Sequence, residues 1–157
     1  MKTVSVLIPC FNEVGNVGPM SEAVVNEFKE NLPDYDYELV FIDNFSTDGT
    51  REKLEEICAH NPKIKAIFNA KNFGQFNSPF YGICQTTGDC TVSICCDFQD
   101  PVSLIHRCVR EWEKGYKIVA AIKTQSEENK VFRFLRTCYY KVIKNLSSVE
   151  QSEHFTG

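Results

Sequence analysis

The 157 residues are 43% hydrophobic and 24% charged, with a formal net charge of −4. That is the composition of one globular domain, or a part of one, with room for a sizeable core, and the acidic balance argues against a general nucleic-acid binder. No apolar run approaches the roughly 20 residues that cross a bilayer, repeats are absent, and Met1-Lys2-Thr3 leads straight into a strand pattern, so no leader peptide is expected.

The predicted elements alternate along the chain. "TVSVLIP" (3–9) is β-branched and apolar, a first strand, and a helical pattern follows at about 14–31. "YELVFID" (37–43) is a second strand ending on an acid, before a helix at about 51–60 in which Leu54, Ile57 and Cys58 recur at helical spacing among charges. "IKAIFN" (64–69) is a short third strand before a helix at about 75–86. "CTVSICCD" (90–97) is a fourth, again ending on an acid, before a helix at about 102–114. "YKIVAAIK" (116–123), after a glycine, is a fifth. This alternation predicts an α/β fold with a mainly parallel sheet.

From 129 to 148 there are five basic residues, Lys130, Arg133, Arg136, Lys141 and Lys144, and no acid. Val131, Leu135, Cys138, Val142 and Leu146 form a stripe among them. This is a basic amphipathic helix, either packed on the core with a solvated basic face or laid on an anionic membrane surface. The chain stops at "SEHFTG" without a packed ending, as a truncated chain would. Of the eight cysteines (10, 58, 84, 90, 95, 96, 108 and 138) none makes a C-x-x-C pair, so no zinc site is expected. They read as reduced thiols in a cytoplasm, acting as small hydrophobes.

In parallel α/β sheets the ligand crevice lies outside the carboxyl ends of the strands. Here those ends read "PCFNE", "DNFSTDGT", "NAKNFGQ" and "DFQDP". Glu13 is a crevice carboxylate for a base or ribose, or else an acid favouring the dipole of the next helix. Asp43 suits a ribose hydroxyl or a base imide, while Ser46, Thr47, Asp48, Gly49 and Thr50 are turn and cap chemistry. Gly74 opens a helix whose N-terminus either faces a diphosphate or is a plain helix entry. "GNVG" (15–18) lacks the third glycine and the Lys-Ser/Thr of a phosphate loop. In the fourth motif, strand alternation puts Cys95 and Asp97 on one side. Asp97 and Asp100, either side of a turn, are placed to converge on a hard divalent cation, Mg²⁺ or Mn²⁺. Asp100 is also expected to cap a helix starting from Pro101.

"VSVLIPCFNE", "ELVFIDNFSTDGT", "NFGQ" and "CDFQDP", in this order and spacing, resemble the family 2 glycosyltransferases. More narrowly they look like the bacterial relatives of dolichol-phosphate mannose synthase, over about residues 3–145. The resemblance implies a GT-A fold, the Rossmann-like architecture of nucleotide-diphospho-sugar transferases. Its core would cover residues 1–125, and the basic helix and the start of an acceptor-side region 126–157. The implied reaction is a metal-assisted, inverting transfer from a nucleoside-diphosphate sugar, uridine ahead of guanosine. The acceptor would be polyprenyl phosphate, or else a glycan hydroxyl, in cell-wall biogenesis. The location would be the cytoplasm, at the inner face of the cell membrane. Carried over by motif, the donor site would comprise Pro9, Phe11, Glu13, Asp43, Asn44, Gly74, Gln75, Cys96 and Gln99. Pro9 and Glu13 would line the base pocket, and Asp43 would meet base or ribose. Asn44 stands where the family usually has a second acid. Asp97 and Asp100 would be catalytic, with Asp97 holding the cation as the second acid of an Asp-x-Asp motif. Cys95 occupies the place of the first acid, and a thiol is a poor ligand for Mg²⁺.

A cation at Asp97 would stabilise charge on the leaving diphosphate, and the transition state would have oxocarbenium character. A lipid phosphate, with its second pKa at about 6, needs positioning and little base catalysis, whereas a sugar hydroxyl needs a base. Two other classes compete. A dinucleotide-binding dehydrogenase requires G-x-G-x-x-G after the first strand, which "PCFNEVG" does not supply. A nucleotide-sugar-binding module without catalysis would accommodate Cys95.

Overall fold

A computed structural model describes residues 1–121. Eight elements alternate: β1 (Thr3–Cys10), α1 (Val17–Asn31), β2 (Asp36–Asp43), α2 (Thr50–His60), β3 (Ile64–Phe68), α3 (Gly74–Gln85), β4 (Cys90–Ser93) and α4 (Leu104–Glu113). The strands form one parallel sheet in the order β3-β2-β1-β4. Cys10 pairs with Asp43, and Asp43 with Phe68, so three strands end at one level. Their loops, and the segment after β4, leave from the same edge.

Side-chain alternation divides the sheet into two faces. Val4, Val6, Ile8 and Cys10 of β1, with Leu39 and Phe41 of β2, share a large core with Met20, Val24 and Phe28 of α1, Leu54 of α2, and Ile105 and Val109 of α4. Leu7, Val40 and Ile42 point the other way and, with Ile67, make a second core of four residues among those described. Helix α3 packs on that face. A Cβ on Gly82 would lie 2.7 Å from Leu7 Cδ1 and 3.2 Å from Ile42 Cγ2, so glycine permits the close approach.

At the far end of the same face Glu38 is buried. It accepts hydrogen bonds from Ser5 Oγ (2.6 Å), Lys65 Nζ (2.6 Å), Thr87 N (2.8 Å) and Thr87 Oγ1 (3.0 Å). Burial alone would raise its pKa; the bonds from Lys65, Ser5 and Thr87 outweigh that and hold the carboxyl at about 2. Gly88 follows, its amide donating to Ser5 Oγ at 2.9 Å. A Cβ there would meet Ser5 N and Thr3 O at 2.8 Å, so the α3–β4 loop is pinned against β1 by backbone contact.

Three expectations are corrected. The fourth strand stops at Ser93 rather than 97, with one more ladder bond, Ile94 N to Leu7 O at 3.1 Å, before the chain turns at Cys96 and Asp97. Helix α4 starts at Leu104 with Ser103 as its N-cap residue. The preceding turn is closed by Leu104 N to Pro101 O (2.9 Å) and Ile105 N to Val102 O (3.0 Å), so the helix begins three residues after the expected Pro101. Residues 116–121 form no strand. Gly115, at φ 99°, turns the chain off α4, and Ile118 is 88% exposed, with no strand among the described residues to complete a ladder. No disulfide joins the described cysteines. The basic helix expected at 129–148, Cys138 and the boundary near 126 lie outside the described residues.

Candidate active site

The four strand-end segments, with Cys95 and Cys96 just ahead of the fourth, carry every donor-site and cation-site residue expected from the sequence, and the first three are laced together by polar contacts. Asn12, in a left-handed conformation at φ 57°, receives a hydroxyl oxygen at its amide: Asn12 N donates to Ser46 Oγ at 2.8 Å. Thr47 N donates back to Asn12 Oδ1 at 2.9 Å. Glu13 N donates to Thr50 Oγ1 (2.8 Å) and Val14 N to Asp48 Oδ2 (3.1 Å). The turn residues of "DNFSTDGT" therefore do more than cap α2: they clamp the first loop onto the second.

Glu13 is half-buried at the entry to α1. Its carbonyl accepts from Asn16 N (2.9 Å) and Val17 N (3.1 Å), and its Oε2 from Asn16 Nδ2 (2.6 Å). Asp43 has no exposed surface. Its two oxygens accept from Ser46 N at 3.3 and 3.2 Å, and Arg51 Nε lies 3.4 Å from Oδ2. A ribose or base reaches this carboxylate only if the loop opens.

Asn44 is also buried, and its amide is fully engaged. Nδ2 donates to Asn72 Oδ1 (2.9 Å) and Gly74 O (3.3 Å); Oδ1 accepts from Phe73 N (2.9 Å) and Asn69 Nδ2 (3.2 Å). Asn69 continues the network to Ser78 Oγ at 2.9 Å. An ionised acid at position 44 has no proton for the two donated bonds, so this geometry calls for an amide. The network sets the β3–α3 loop and places Gly74, at φ 84°, as the first residue of α3. Gln75 is exposed beside it and Pro9 is half-buried.

After β4, Ile94 and Cys96 are buried, whereas Cys95, Asp97 and Gln99 are exposed. Asp97 Oδ1 accepts from Gln99 N at 3.1 Å across a tight turn, and Phe98 sits at φ 59°. Asp100 is half-buried.

The thiols report how these groups gather. Burial, then the charges of Glu13, Asp97 and Cys95, pushes Cys96 up to about 12. Burial, then Cys96, Asp43, Glu13 and Asp48, raises Cys10. Carboxylates from three different loops thus act on two buried sulfurs, which are protonated and inert at neutral pH. Among the described residues no three His, Cys, Asp or Glu side chains form a cation cage. An exposed Asp97 nevertheless suits a hard cation that completes its shell with ligand phosphate oxygens.

One feature was not singled out from the sequence except for Phe11. Each strand-end segment presents an exposed phenylalanine: Phe11 (47%), Phe45 (42%), Phe73 (43%) and Phe98 (42%). The signal was there to read, since each of the four strand-end motifs contains one phenylalanine.

Glycosyl transferase family 2 matches residues 5–155. The bactoprenol glucosyl transferase of Shigella phage SfX is 30% identical over 152 residues, 96% of this chain and 49% of the relative. The prophage bactoprenol glucosyl transferase homolog of Escherichia coli (strain K12) is 29% identical over 96% of this chain and 49% of its own length. The chain thus spans about half the length of the curated relatives it matches. Among solved structures, mannosyltransferase PcManGT from Pyrobaculum calidifontis, in complex with GDP-Man and Mn²⁺, superposes with a TM-score of 0.61. That likeness covers 85% of this chain and 38% of that one at 18% identity, and it is one of fold.

Proposed function

The chain belongs to glycosyl transferase family 2 and has the GT-A fold, and on that premise we propose that it transfers a glycosyl group from a nucleoside-diphosphate sugar, a uridine one ahead of a guanosine one, to polyprenyl phosphate with inversion. The observation that carries this is the pairing of β1 with β4 (Leu7 beside Ser93), by which the segments bearing Glu13 and Asp97 leave neighbouring strands at the same carboxyl edge of the sheet. Relatives named for bactoprenol glucosyl transfer support the acceptor, and a neighbour of the same fold holding GDP-Man and Mn²⁺ supports a nucleotide-sugar donor and a divalent cation. The acceptor would place the reaction at the inner face of the cell membrane. No helix among the described residues is long and apolar enough to cross a membrane.

In this reading Pro9, Phe11, Glu13 and the first loop take the base. Gly74, Gln75 and Gln99 line the remainder of the donor, while Asp43, Asn44 and Cys96 support the loops from beneath. Asp97, with Asp100 nearby in the chain, would hold Mg²⁺ or Mn²⁺. Such a cation neutralises charge growing on the leaving diphosphate. The acceptor phosphate is already largely ionised, its second pKa being about 6, so the chain orients it and excludes water rather than removing a proton. Lys71 is an exposed cation on the third loop that would attract it.

Thermal unfolding with UDP, GDP or NAD, each with and without Mn²⁺, tests the donor site. A nucleotide at about 100 times its Kd adds about 2.7 kcal/mol. The expected result is a raised midpoint with UDP that grows with Mn²⁺ and whose metal-dependent part disappears in Asp97→Asn. No shift with UDP or GDP would remove the donor site. The exposed Cys95 favours a second reading, a nucleotide-sugar-binding module without catalysis. Transfer of labelled glucose from UDP-glucose to polyprenyl phosphate by the wild-type chain would exclude it.

A further inference from the structure

We propose that the outward face of α3 is an interface at which two copies of this chain pair, with Phe80 at the two-fold axis. The inference concerns assembly and is independent of which donor and acceptor the chain uses.

Helix α3 carries its amphipathic pattern inside out. The residues it buries on the sheet are Ser78 and Gly82, which bring little apolar area to the contact. Its large apolar side chains lie on the solvent side: Phe76 is 70% exposed, Phe80 69% and Ile83 45%. Phe76, Phe80 and Cys84 follow one another at four-residue spacing, so they form a single ridge along the helix, with Ile83 beside it. Cys84 is exposed as well, and neither phenylalanine is a member of either core. A helix of 12 residues with Pro79 inside it is marginal in water on its own. Such a helix is ordinarily held by burying the ridge that α3 leaves outside.

Charge selects the occupant. Gly74–Gln85 holds no Asp, Glu, Lys, Arg or His, whereas α1, α2 and α4 all carry charged residues. A helix that lies on a membrane carries Lys or Arg for the headgroups, and a partner of opposite charge needs charge to recognise; α3 offers neither. For a chain of net charge −4, an uncharged face is where two copies meet with least repulsion. Symmetry fits too. Phe76 and Cys84 lie equally far on either side of Phe80. The ridge of one copy therefore matches that of another when the helices run antiparallel about a two-fold axis at Phe80, an isologous contact with the helix dipoles opposed. Two phenylalanines exposed to 70% and 69% present roughly 200–350 Å². That is a quarter or more of the ~800 Å² each partner contributes to a standard interface, from two side chains.

The test is sedimentation of the 157-residue chain over a dilution series. The wild type should run as a dimer that dissociates on dilution. Phe80→Glu sets two carboxylates against each other at the axis and should raise the dissociation constant at least about a hundredfold. Glutamate is a better helix former than phenylalanine, so the variant should melt no lower than wild type diluted to monomer, and UDP should bind both alike. Register is read by mild oxidation with copper phenanthroline: Phe76→Cys should cross-link to Cys84 of the other copy, and adding Cys84→Ser should abolish the cross-link. A wild type that is monomeric at every concentration overturns the interface. Binding of that monomer to anionic phospholipid vesicles, lost in Phe80→Glu, then assigns the face to a membrane, and a lower melting midpoint in the variant assigns it to a cover within the same chain. A dimer that Phe80→Glu leaves intact also overturns the interface, since the copies then meet elsewhere. A dimer that Phe80→Glu dissolves and that Phe76→Cys keeps but does not cross-link overturns the axis at Phe80.

Discussion

The two faces of the sheet are built on different principles. One is covered by α1, α2 and α4 over seventeen buried apolar residues, a core in which non-directional burial dominates. The other has three such residues among the described ones, packs against α3 through the Gly82 contact, and is bracketed by polar clusters centred on buried side chains: Glu38 with Ser5, Lys65 and Thr87 at one end, Asn44 with Asn69 and Asn72 at the other. Apolar burial tolerates small shifts, whereas hydrogen-bonded networks do not. The thin face is therefore where the positions of the loop residues are set, and the thick face is where most of the stability resides.

Adjacent residues on β2 give the largest effect. Phe41 faces the thick core and Ile42 the thin one. Phe41→Ala should cost about 3–5 kcal/mol in urea unfolding and Ile42→Ala about 2 kcal/mol, the low end for such truncations. Equal losses would break the comparison. Next comes Glu38. Its folded pKa of about 2 lies below its ordinary 4.5, so its contribution is complete above about pH 4.5 and drains away as pH falls toward 2. That contribution is on the order of 2–3 kcal/mol, and it should be absent from Glu38→Gln, whose unfolding free energy should change less than that of the wild type over the same acid range.

Asn44→Asp should cost less, about 1–2 kcal/mol for the two donated bonds. It should also weaken UDP binding, because a carboxylate would face the Asn72 and Gly74 oxygens. Acidification should restore part of both, since a protonated aspartic acid donates once more; melting curves with and without UDP between pH 4 and 8 would show it. At the small end, Lys53→Ala removes an exposed pair with Glu56 at 2.8 Å on α2 and should leave the urea midpoint where it was.

Strand and helix order was legible because periodicity reports burial. The same property explains the misplaced end of β4. Ile94 and Cys96 stay buried in alternation after the ladder has ended, so the pattern of a strand outlasts its hydrogen bonds. Residues 116–121 carry an apolar pattern, but a strand also needs a neighbour, which composition does not name. Asp43 and Asn44 were legible as polar groups at a strand end. Their partners were not: Asn69 and Asn72 lie 25 and 28 residues away from Asn44 and meet it only through β3 and its loop. The lacing of Asn12 to Ser46, 34 residues on, escaped for the same reason.

The order of the strands has a consequence for how the protein is made. Of the four described strands β1 is synthesised before the others, and it ends up inside the sheet, between β2 and β4. Its pairing with β2 is possible once residue 43 has been synthesised, but its second edge stays open until Cys90–Ser93 emerges. A nascent chain with an open edge is exposed to pairing with its neighbours on a polysome. Thr87, Gly88 and Asp89 come just before β4, with contacts to Glu38, Ser5 and Thr3. The chain thus delivers the fasteners that set the register of β4 immediately ahead of the strand itself.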